Sequence, residues 1–357
     1  MDRLELLIAD LERLVNVESP SRNIDAIRDS AVTLAAVIEQ RTGSAAVLVE
    51  GADGPHVHWS GGGDPKVLIL GHHDTVFPLG SLSSRPFRVV DGRATGPGVF
   101  DMKAGIVQAI HAVAGLADSS GIEMLFTADE EVGSETSREL LESRAIACGA
   151  VLVLEPSFDG GALKTGRKGT GTFEVIIHGR AAHAGLEPEK GINALVEASH
   201  QVLVINEFGD VSEGTTVTPT VAHSGTAENV VPAEARVMVD VRVANAGEKA
   251  RVEALMAGLT PAIDGTMIEV RGSIGRPPMP ESASATLFPL ARAVDPSIQG
   301  VAVGGGSDGN FTAARGVATL DGLGAVGGGA HADHEYVLVD TMPARVDLLA
   351  GILSRLL

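Results

Sequence analysis

Between residues 67 and 155, short aliphatic runs alternate with helical segments, and this alternation is the sequence feature that most restricts the fold. The segments KVLIL, IEMLFTA and AVLVLE are almost wholly apolar, and MKAGIVQAIHAVAGL and ETSRELLES lie between them. Apolar residues return at helical spacing in these intervening segments. Strands that are apolar on both faces, with helices between them, are typical of a parallel sheet covered by helices on both sides. The sequence therefore predicts an α/β fold with a mostly parallel, doubly wound sheet.

The order of predicted elements changes between residues 168 and 278. Four strands and two helices follow there, in the order TFEVIIH, GINALVEASHQVLVI, TTVTPTVAH, EARVMVDVRV, GEKARVEALMAGL and TMIEVRG. The order β-α-β-β-α-β is that of a ferredoxin-like α+β unit. The βα pattern then resumes up to the helix RVDLLAGILSRLL, and 357 residues exceed one ordinary hydrophobic core. We expect an inserted domain at 168–278 and a first domain made of residues 1–167 and 279–357.

Charge and composition argue against several classes of partner. The formal net charge is −19, which repels nucleic acid and anionic membranes. No apolar run approaches the roughly 18 residues of a membrane helix, and the start MDRLELLIADLERLV has amphipathic helical spacing instead of the form of a signal peptide. We expect a cytoplasmic protein without nucleic-acid or membrane partners. Cys148 is the only cysteine, which excludes an internal disulfide.

The segment GHHDTV directly follows the aliphatic run that begins at residue 67. Side chains alternate along a strand, so His72 and Asp74 share one face and His73 takes the other. Asp74 can then accept a hydrogen bond from one nitrogen of His72 and leave the other nitrogen for a metal ion. A His–Asp pair that only caps the strand end is also consistent with this segment.

Other predicted strand and loop ends carry residues of the same kinds. These are Asp101 after a Gly-rich loop, Asp129, Glu130 and Glu131 after IEMLFTA, Glu155 at the end of AVLVLE, and His331 or His334 in GGGAHADHE. Each alone has a structural explanation, such as a helix N-cap or a solvated acidic face. Ligands bind beyond the carboxyl ends of parallel strands, so these residues together favour one shared metal site. Imidazoles with carboxylates suit zinc, and two divalent ions would balance three carboxylates and one hydroxide.

Eight segments, taken in order, resemble the signatures of the M20 family of di-zinc peptidases and deacylases. They are HHDTV, GPGVFDMKAG, ADEEVGS, LEPS, GRAAHAG, ENVVPAEA, GGGSD and HADHEYV. The branch they resemble most is the glutamate carboxypeptidase type, and the resemblance runs over nearly the whole chain. It implies a zinc-dependent hydrolase that cleaves an amide bond next to a free carboxylate. It also implies an inserted lid domain that joins two subunits into a homodimer.

The resemblance implies two Zn²⁺ ions per subunit, for which Co²⁺ can substitute. Asp101 would bridge the two ions. His72 and Glu155 would complete the coordination of one ion, and Glu131 and His331 that of the other. This assignment prefers Glu130 and Glu131 to Asp129, and His331 to His334.

Two further residues near the ions receive roles from the resemblance. Glu130 would be the general base that takes a proton from the attacking water and returns it to the leaving nitrogen. Asp74 would orient His72. The peptide bond between Asp101 and Met102 is expected to be cis, as in relatives.

Substrate-binding residues are implied mainly in the inserted domain. His183 in GRAAHAG resembles a lid histidine that reaches the partner subunit, and Asn229 in ENVVP resembles a second lid group. Arg276 in GRPP would bind a substrate carboxylate through its planar guanidinium group. Gly306 and Ser307 lie in VGGGSDGN, which resembles a pocket loop but ends in SDGN where relatives often have TDA.

Several alternatives remain open on the sequence alone. The substrate is either a peptide with a C-terminal residue such as glutamate or an N-acyl amino acid such as acetylornithine. GGSDG also fits the G-x-S-x-G pattern of a serine hydrolase, with Ser307, Asp321 and His331 in the order Ser, Asp, His. A non-catalytic relative that keeps the fold for binding is the remaining alternative.

Overall fold

The computed structural model describes residues 2–357, which divide into two compact units. The first unit runs up to Gly166 and also contains Pro280–Val303 and Ser307–Leu357. The second unit is Arg167–Met279 together with Gly304–Gly306.

Helices and strands alternate along most of the described chain. The helices are α1 (Arg3–Val15), α2 (Ile24–Thr42), α3 (Ser81–Ser84), α4 (Ala104–Ala114), α5 (Arg138–Cys148), α6 (Ala194–Asn206), α7 (Ala246–Ala257), α8 (Phe288–Val294), α9 (Gly309–Ala314) and α10 (Met342–Leu356). The strands are β1 (Val47–Val49), β2 (His56–Ser60), β3 (Val67–His72), β4 (Arg88–Val90), β5 (Arg93–Thr95), β6 (Ile122–Thr127), β7 (Ala150–Val153), β8 (Leu163–Arg167), β9 (Gly169–His178), β10 (Thr216–Ser224), β11 (Glu234–Val243), β12 (Met267–Arg276), β13 (Gly300–Val303), β14 (Ala318–Leu320), β15 (Gly327–Gly328) and β16 (Tyr336–Leu338).

The main sheet of the first unit has the strand order β1-β2-β6-β3-β7-β14. The pairs β6/β3, β3/β7 and β7/β14 are parallel, whereas β1/β2 and β2/β6 are antiparallel. This confirms the α/β class and the mostly parallel sheet. The antiparallel edge comes from a segment without a long aliphatic run, and the sequence pattern did not predict it.

Alternate residues of β3 pack into two different apolar clusters, one on each face of the sheet. Ile69 belongs to a cluster that includes residues of α1, α2, α4 and α10. Leu68 and Leu70 belong to a second cluster with residues of α5 and α9. Because both faces are covered, every residue of β3 is buried, which is why the strand is continuously apolar. The doubly wound arrangement is thereby confirmed.

A smaller antiparallel sheet in the first unit has the order β15-β16-β5-β4. Tyr336 pairs with Thr95 and Val337 with Ala94. This pairing joins the segment that follows His331 to the segment that precedes Asp101.

The second unit contains an antiparallel sheet with the order β10-β11-β9-β12. Ala235, Val237 and Val239 of β11 are buried in its apolar cluster together with residues of α6 and α7. Asn193 and Asn245 cap these two helices by accepting hydrogen bonds from backbone N–H groups of the first turn. The order β9-α6-β10-β11-α7-β12 confirms the ferredoxin-like α+β fold.

Candidate metal centre

Three adjacent parallel strands end at the candidate site. His72 is the last residue of β3, Glu130 and Glu131 lie in a 3-10 turn just after β6, and Glu155 follows β7 by two residues. The carboxyl ends of neighbouring parallel strands meet at one edge of a sheet. The fold therefore collects these side chains, which lie up to 83 positions apart in the sequence, at one place.

Asp101 lies between two imidazoles. Its Oδ1 is 3.2 Å from Nε2 of His72, and its Oδ2 is 3.4 Å from Nε2 of His331. Each carboxylate oxygen therefore faces a different histidine, which is the arrangement that a bridging ligand needs.

Two more carboxylates complete the cluster on either side of Asp101. Oε1 of Glu155 is 3.7 Å from Nε2 of His72, and Oε2 of Glu131 is 3.1 Å from Nε2 of His331. Ligand atoms of His72, Asp101 and Glu131 all lie within 4.8 Å of one another, and so do those of His72, Glu130 and Glu155. Two overlapping sets of three ligand atoms are thus present.

The donor set can be tested against zinc coordination. Two ligand atoms that are each about 2.0–2.1 Å from a tetrahedral ion are roughly 3.4 Å from one another. The four nitrogen–oxygen distances in the cluster, 3.2, 3.4, 3.7 and 3.1 Å, bracket that value. Imidazole nitrogens and carboxylate oxygens are also suitable donors for this ion. The residues therefore fit a pair of metal ions with Asp101 between them.

Asp74 connects His72 to the turn that carries the two glutamates. Nδ1 of His72 donates to the backbone oxygen of Asp74 at 3.0 Å and is 3.4 Å from its Oδ1. The Asp74 carboxylate accepts hydrogen bonds from the backbone N–H groups of Glu130 and Glu131 and from Oγ of Ser21. Because Asp74 engages Nδ1 in this arrangement, Nε2 of His72 faces the cluster and is the nitrogen that would bind a metal ion.

The electrostatics of the cluster favour added positive charge. Hydrogen bonds to Asp101 and Glu131 raise the pKa of His331 to about 10. Burial by itself lowers the pKa of His72, but the carboxylates of Asp101 and Asp74 raise it well above its ordinary value. The same two histidines outweigh the effect of burial and hold the pKa of Asp101 below its usual range. A divalent ion would supply the positive charge that these carboxylates attract.

Backbone geometry is unusual at two residues of the cluster. The Asp101–Met102 peptide bond is cis, as expected from the resemblance, and His331 has a φ of 63°. Residues other than glycine adopt this left-handed conformation uncommonly, and in this chain Arg22, Asp91 and Ser134 do so as well.

Competing histidines and acids have other partners or positions. His73 is buried on the opposite side of the strand, where its nitrogens lie 3.1 Å from Oγ of Ser30 and from the backbone oxygen of Pro55. Burial lowers the pKa of His73 to about 4. Oδ2 of Asp129 accepts hydrogen bonds from the backbone of the residues that follow the turn, and His334 is exposed.

Ser307 is fully buried inside the first unit, and its Oγ donates to Oδ2 of Asp321 at 2.6 Å. Nε2 of His331 faces Asp101 and Glu131 instead. In a catalytic triad the histidine lies between the serine and the aspartate. Here the serine hydroxyl is hydrogen-bonded to the aspartate itself, so the three residues of the hydrolase alternative do not form a triad.

The other predicted substrate-binding residues all belong to the second unit. The backbone of Ala184, next to His183, donates to the backbone oxygen of Asn229 at 2.8 Å, so His183 and Asn229 lie on adjacent segments. A Cβ atom on Gly306 would lie only 2.7 Å from Cδ of Arg276. Gly306 therefore leaves the space that the Arg276 side chain occupies.

Sequence reasoning missed Glu335, a buried carboxylate that contacts the loop carrying Asp101. Sequence reasoning also missed Arg345, which donates to the backbone oxygens of Gly161, Gly322 and Gly324 near the segment of Glu155. Glu335 directly precedes the short strand β16, and a charged residue next to an apolar strand is the only signal of its role in the sequence.

Known proteins resemble this chain over almost all of its length. Peptidase family M20/M25/M40 matches residues 68–355. Carboxypeptidase G2 of Pseudomonas sp. (strain RS-16) is 32% identical over 379 residues, which cover 99% of this chain and 90% of that protein. A succinyl-diaminopimelate desuccinylase of Thioalkalivibrio sulfidiphilus is 28% identical over a match that covers 83% of this chain and 85% of that protein.

The fold is also that of solved structures. An M20 family metallo-carboxypeptidase of Sulfolobus solfataricus superposes with a TM-score of 0.76 at 17% identity, covering 99% of both chains. The sequence match, the shared fold and the cluster of metal-binding side chains agree. The chain therefore belongs to peptidase family M20/M25/M40 and is a metal-dependent hydrolase that acts on amide bonds.

Proposed function

We propose that the protein is a carboxypeptidase-like amidohydrolase with two zinc ions, which cleaves an amide bond next to a free carboxylate. The observation that carries this proposal is the position of Asp101, whose two oxygens lie 3.2 and 3.4 Å from the imidazoles of His72 and His331. Asp101 would bridge the ions. His72 and Glu155 would hold one ion, and Glu131 and His331 the other.

Glu130 is the proposed general base. It is half-buried, and its carboxylate is within reach of the ligand atoms of His72 and Glu155. A bound metal ion supplies a water of lowered pKa and polarises the substrate carbonyl. Glu130 takes the proton of the attacking water on its carboxylate and passes it to the leaving nitrogen. The hydrogen bond from its backbone N–H to Asp74 keeps Glu130 in place during both transfers.

Recognition of the free carboxylate is assigned to Arg276 of the second unit. The guanidinium group presents parallel N–H donors that match a carboxylate. Arg276 is partly exposed and lies beside Gly306. His183 and Asn229, on adjacent segments, would contact the remainder of the substrate, with His183 acting on the active site of the partner subunit.

A deacylase acting on N-acyl amino acids is the second candidate. The observation in its favour is the 28% identity with a succinyl-diaminopimelate desuccinylase over 83% of this chain. The same metal-binding residues would serve either reaction, so the two candidates differ in the acyl group and not in the chemistry.

The second unit is the proposed dimerisation surface. Leu203 of α6 is 68% exposed, and Leu195, Val196 and Val204 of the same helix are also exposed. Apolar residues clustered on one helix surface are typical of interfaces. Sedimentation equilibrium of the full chain tests the dimer. A dimer that Leu203→Glu dissociates is expected, and a wild-type monomer would contradict the proposal.

We further propose a cytoplasmic location. No helix among residues 2–357 is long and apolar enough to cross a membrane.

The activity is tested with a panel of N-acyl amino acids and dipeptides, each paired with the analogue in which the free carboxylate is an amide. Hydrolysis is expected only for the acids, in the presence of Zn²⁺ or Co²⁺. A chelator should abolish it, and added metal should restore it. Equal turnover of acids and amides would contradict the carboxylate requirement, and chelator-resistant turnover would contradict the metal. Preference for the dipeptides or for the acyl amino acids decides between the two candidates.

A further inference from the structure

Three backbone N–H groups near the bridging carboxylate converge on one side chain outside the proposed ligand set. Oε1 of Glu335 accepts hydrogen bonds from the N–H groups of Phe100 and Asp101, both at 2.8 Å. Oε2 accepts from the N–H group of Gly98 at 2.9 Å. The carboxylate thus accepts hydrogen bonds from three of the four backbone N–H groups of residues 98–101.

This carboxylate is deeply buried. Glu335 is 1% exposed, and burial raises its pKa to about 7. Burying a carboxylate is unfavourable unless its oxygens are hydrogen-bonded. An apolar residue at this position would leave the N–H groups of Gly98, Phe100 and Asp101 without this acceptor, so the hydrogen bonds to the Asp101 segment are what suit a carboxylate to the position.

Glu335 is itself fixed with respect to both proposed metal-binding loops. Tyr336, the next residue, pairs with Thr95 in the small sheet, just before the segment that contains Gly98. The backbone N–H of Glu335 donates to the backbone oxygen of Ala332, the residue after His331, at 3.1 Å. Glu335 therefore connects the loop of His331 to the loop of Asp101.

The segment that leads into Asp101 includes two glycines, one on each side of Pro97. It contains Gly96 and Gly98 in left-handed conformations, with φ of 146° and 70°. A Cβ atom on Gly98 would lie 2.5 Å from Cγ2 of Thr75, so the position requires glycine. Glycine has wide conformational freedom in the absence of other constraints. Two backbone hydrogen bonds, from Val99 to Gly96 and from Lys103 to Gly98, are internal to this stretch, and the bonds to Glu335 add three more that help to place Asp101.

We infer that Glu335 is a positioning residue, which fixes Asp101 between the two imidazoles and thereby sets the affinity of the paired-metal site. This inference rests on the proposed function, because it takes Asp101 as the bridging ligand. Glu335 acts through the backbone of residues 98–101 and touches neither the substrate nor the ions.

The test compares Glu335→Gln with a matched control, Glu197→Gln. Glu197 is 0% exposed and also accepts backbone N–H groups, those of Ala262 and Ile263, but it lies in the second unit. Both substitutions replace a buried carboxylate with an amide that has only one acceptor oxygen. The two variants therefore lose the same kind of contact in different places.

Metal binding is measured by titrating Zn²⁺ into each metal-free full-length protein, and the Co²⁺ spectrum of each is recorded. The expected result is two ions for the wild type and Glu197→Gln, and about 10 to 100-fold weaker binding of at least one ion in Glu335→Gln, with an altered Co²⁺ spectrum. Unchanged affinities and spectrum in Glu335→Gln would overturn the inference alone. A wild-type protein that binds fewer than two ions would overturn the proposed function as well.

A second measurement covers the case in which Glu335→Gln does not fold. Hydrogen exchange is followed for the amides of Gly98, Phe100 and Asp101 in the metal-free wild-type protein. Protection of these amides before any metal is added is expected if Glu335 defines the segment. Rapid exchange that slows only with metal would show that the ions order the segment and would overturn the inference.

Discussion

Oδ1 of Asp74 accepts a hydrogen bond from the backbone N–H of Glu130 at 3.2 Å. Asp74, which is proposed to orient His72, therefore also holds the start of the turn that carries the proposed general base. Asp74, two residues after the end of β3, thus contacts both His72 and the turn that follows β6.

Asp74→Asn is expected to weaken metal binding and catalysis together. An asparagine has a single acceptor oxygen for the donors that Asp74 now serves, so its NH₂ group would face one of them. We expect about a 10 to 100-fold loss in zinc affinity and a decrease in kcat. Zinc titration and steady-state kinetics check this. Loss of activity with unchanged zinc affinity would show that Asp74 acts only on Glu130.

Glu130→Ala is expected to separate proton transfer from metal binding. Removing a general base typically reduces the rate about 10² to 10⁴-fold, while the proposed ligands of both ions remain. Metal content per chain and kcat are measured for this variant and for Glu135→Ala, an exposed acid on the same segment. The control should resemble the wild type. A Glu130→Ala protein with normal kcat would remove Glu130 from the mechanism.

Arg276→Ala is expected mainly to raise KM. A contact that binds substrate and transition state equally affects KM and leaves kcat nearly constant. Arg271 lies on the same strand, is exposed and pairs with Glu269, which makes Arg271→Ala a suitable control. Kinetics with an acid substrate and its amide analogue distinguish the roles. If Arg276→Ala affects both substrates equally, the arginine does not recognise the carboxylate.

Asp10→Asn is expected to change the pH dependence of stability. Burial raises the pKa of Asp10, but the hydrogen bonds from His111 and Arg41 lower it by a larger amount. The net pKa of Asp10 is therefore below its ordinary value. Such a carboxyl stabilises the fold above the unfolded pKa of about 3.9, and this contribution is lost as the pH falls through the lower folded value. The variant should lose about 3 kcal/mol at pH 7.

Thermal unfolding between pH 7 and pH 3 measures this effect. The difference between Asp10→Asn and the wild type should shrink as the pH falls below about 4. Asp347→Asn breaks the exposed ion pair with Arg3 and should change little at any pH, because exposed pairs contribute weakly. A difference that persists unchanged at pH 3 would mean that Asp10 contributes through packing and not through its charge.

The strands that build the site could be predicted from sequence because each is buried on both faces. β3, β6 and β7 are largely apolar, with Glu123 as the charged exception inside β6, so their ends and the polar residues that follow are visible in the chain. Strand alternation also separated His72 from His73 correctly, since only His72 lies in the cluster.

The small sheet around β5 and β16 could not be predicted in the same way. Both strands have only three residues, too few to show alternation, and they pair across more than 230 positions. The role of Glu335 depends on this pairing and was missed for the same reason. The sequence pattern likewise did not predict the left-handed backbone of His331, which is not a glycine.

The two imidazoles of the cluster differ sharply in their access to solvent. The side chain of His72 is 2% exposed at the end of a central strand, whereas that of His331 is 53% exposed on a loop. In the proposed two-ion site, the ions would have unequal residence times, and the ion beside His331 would leave first. Removal of metal by a chelator is then expected to proceed in two kinetic phases, and the protein would pass through a form that retains a single ion on the side of the buried strand.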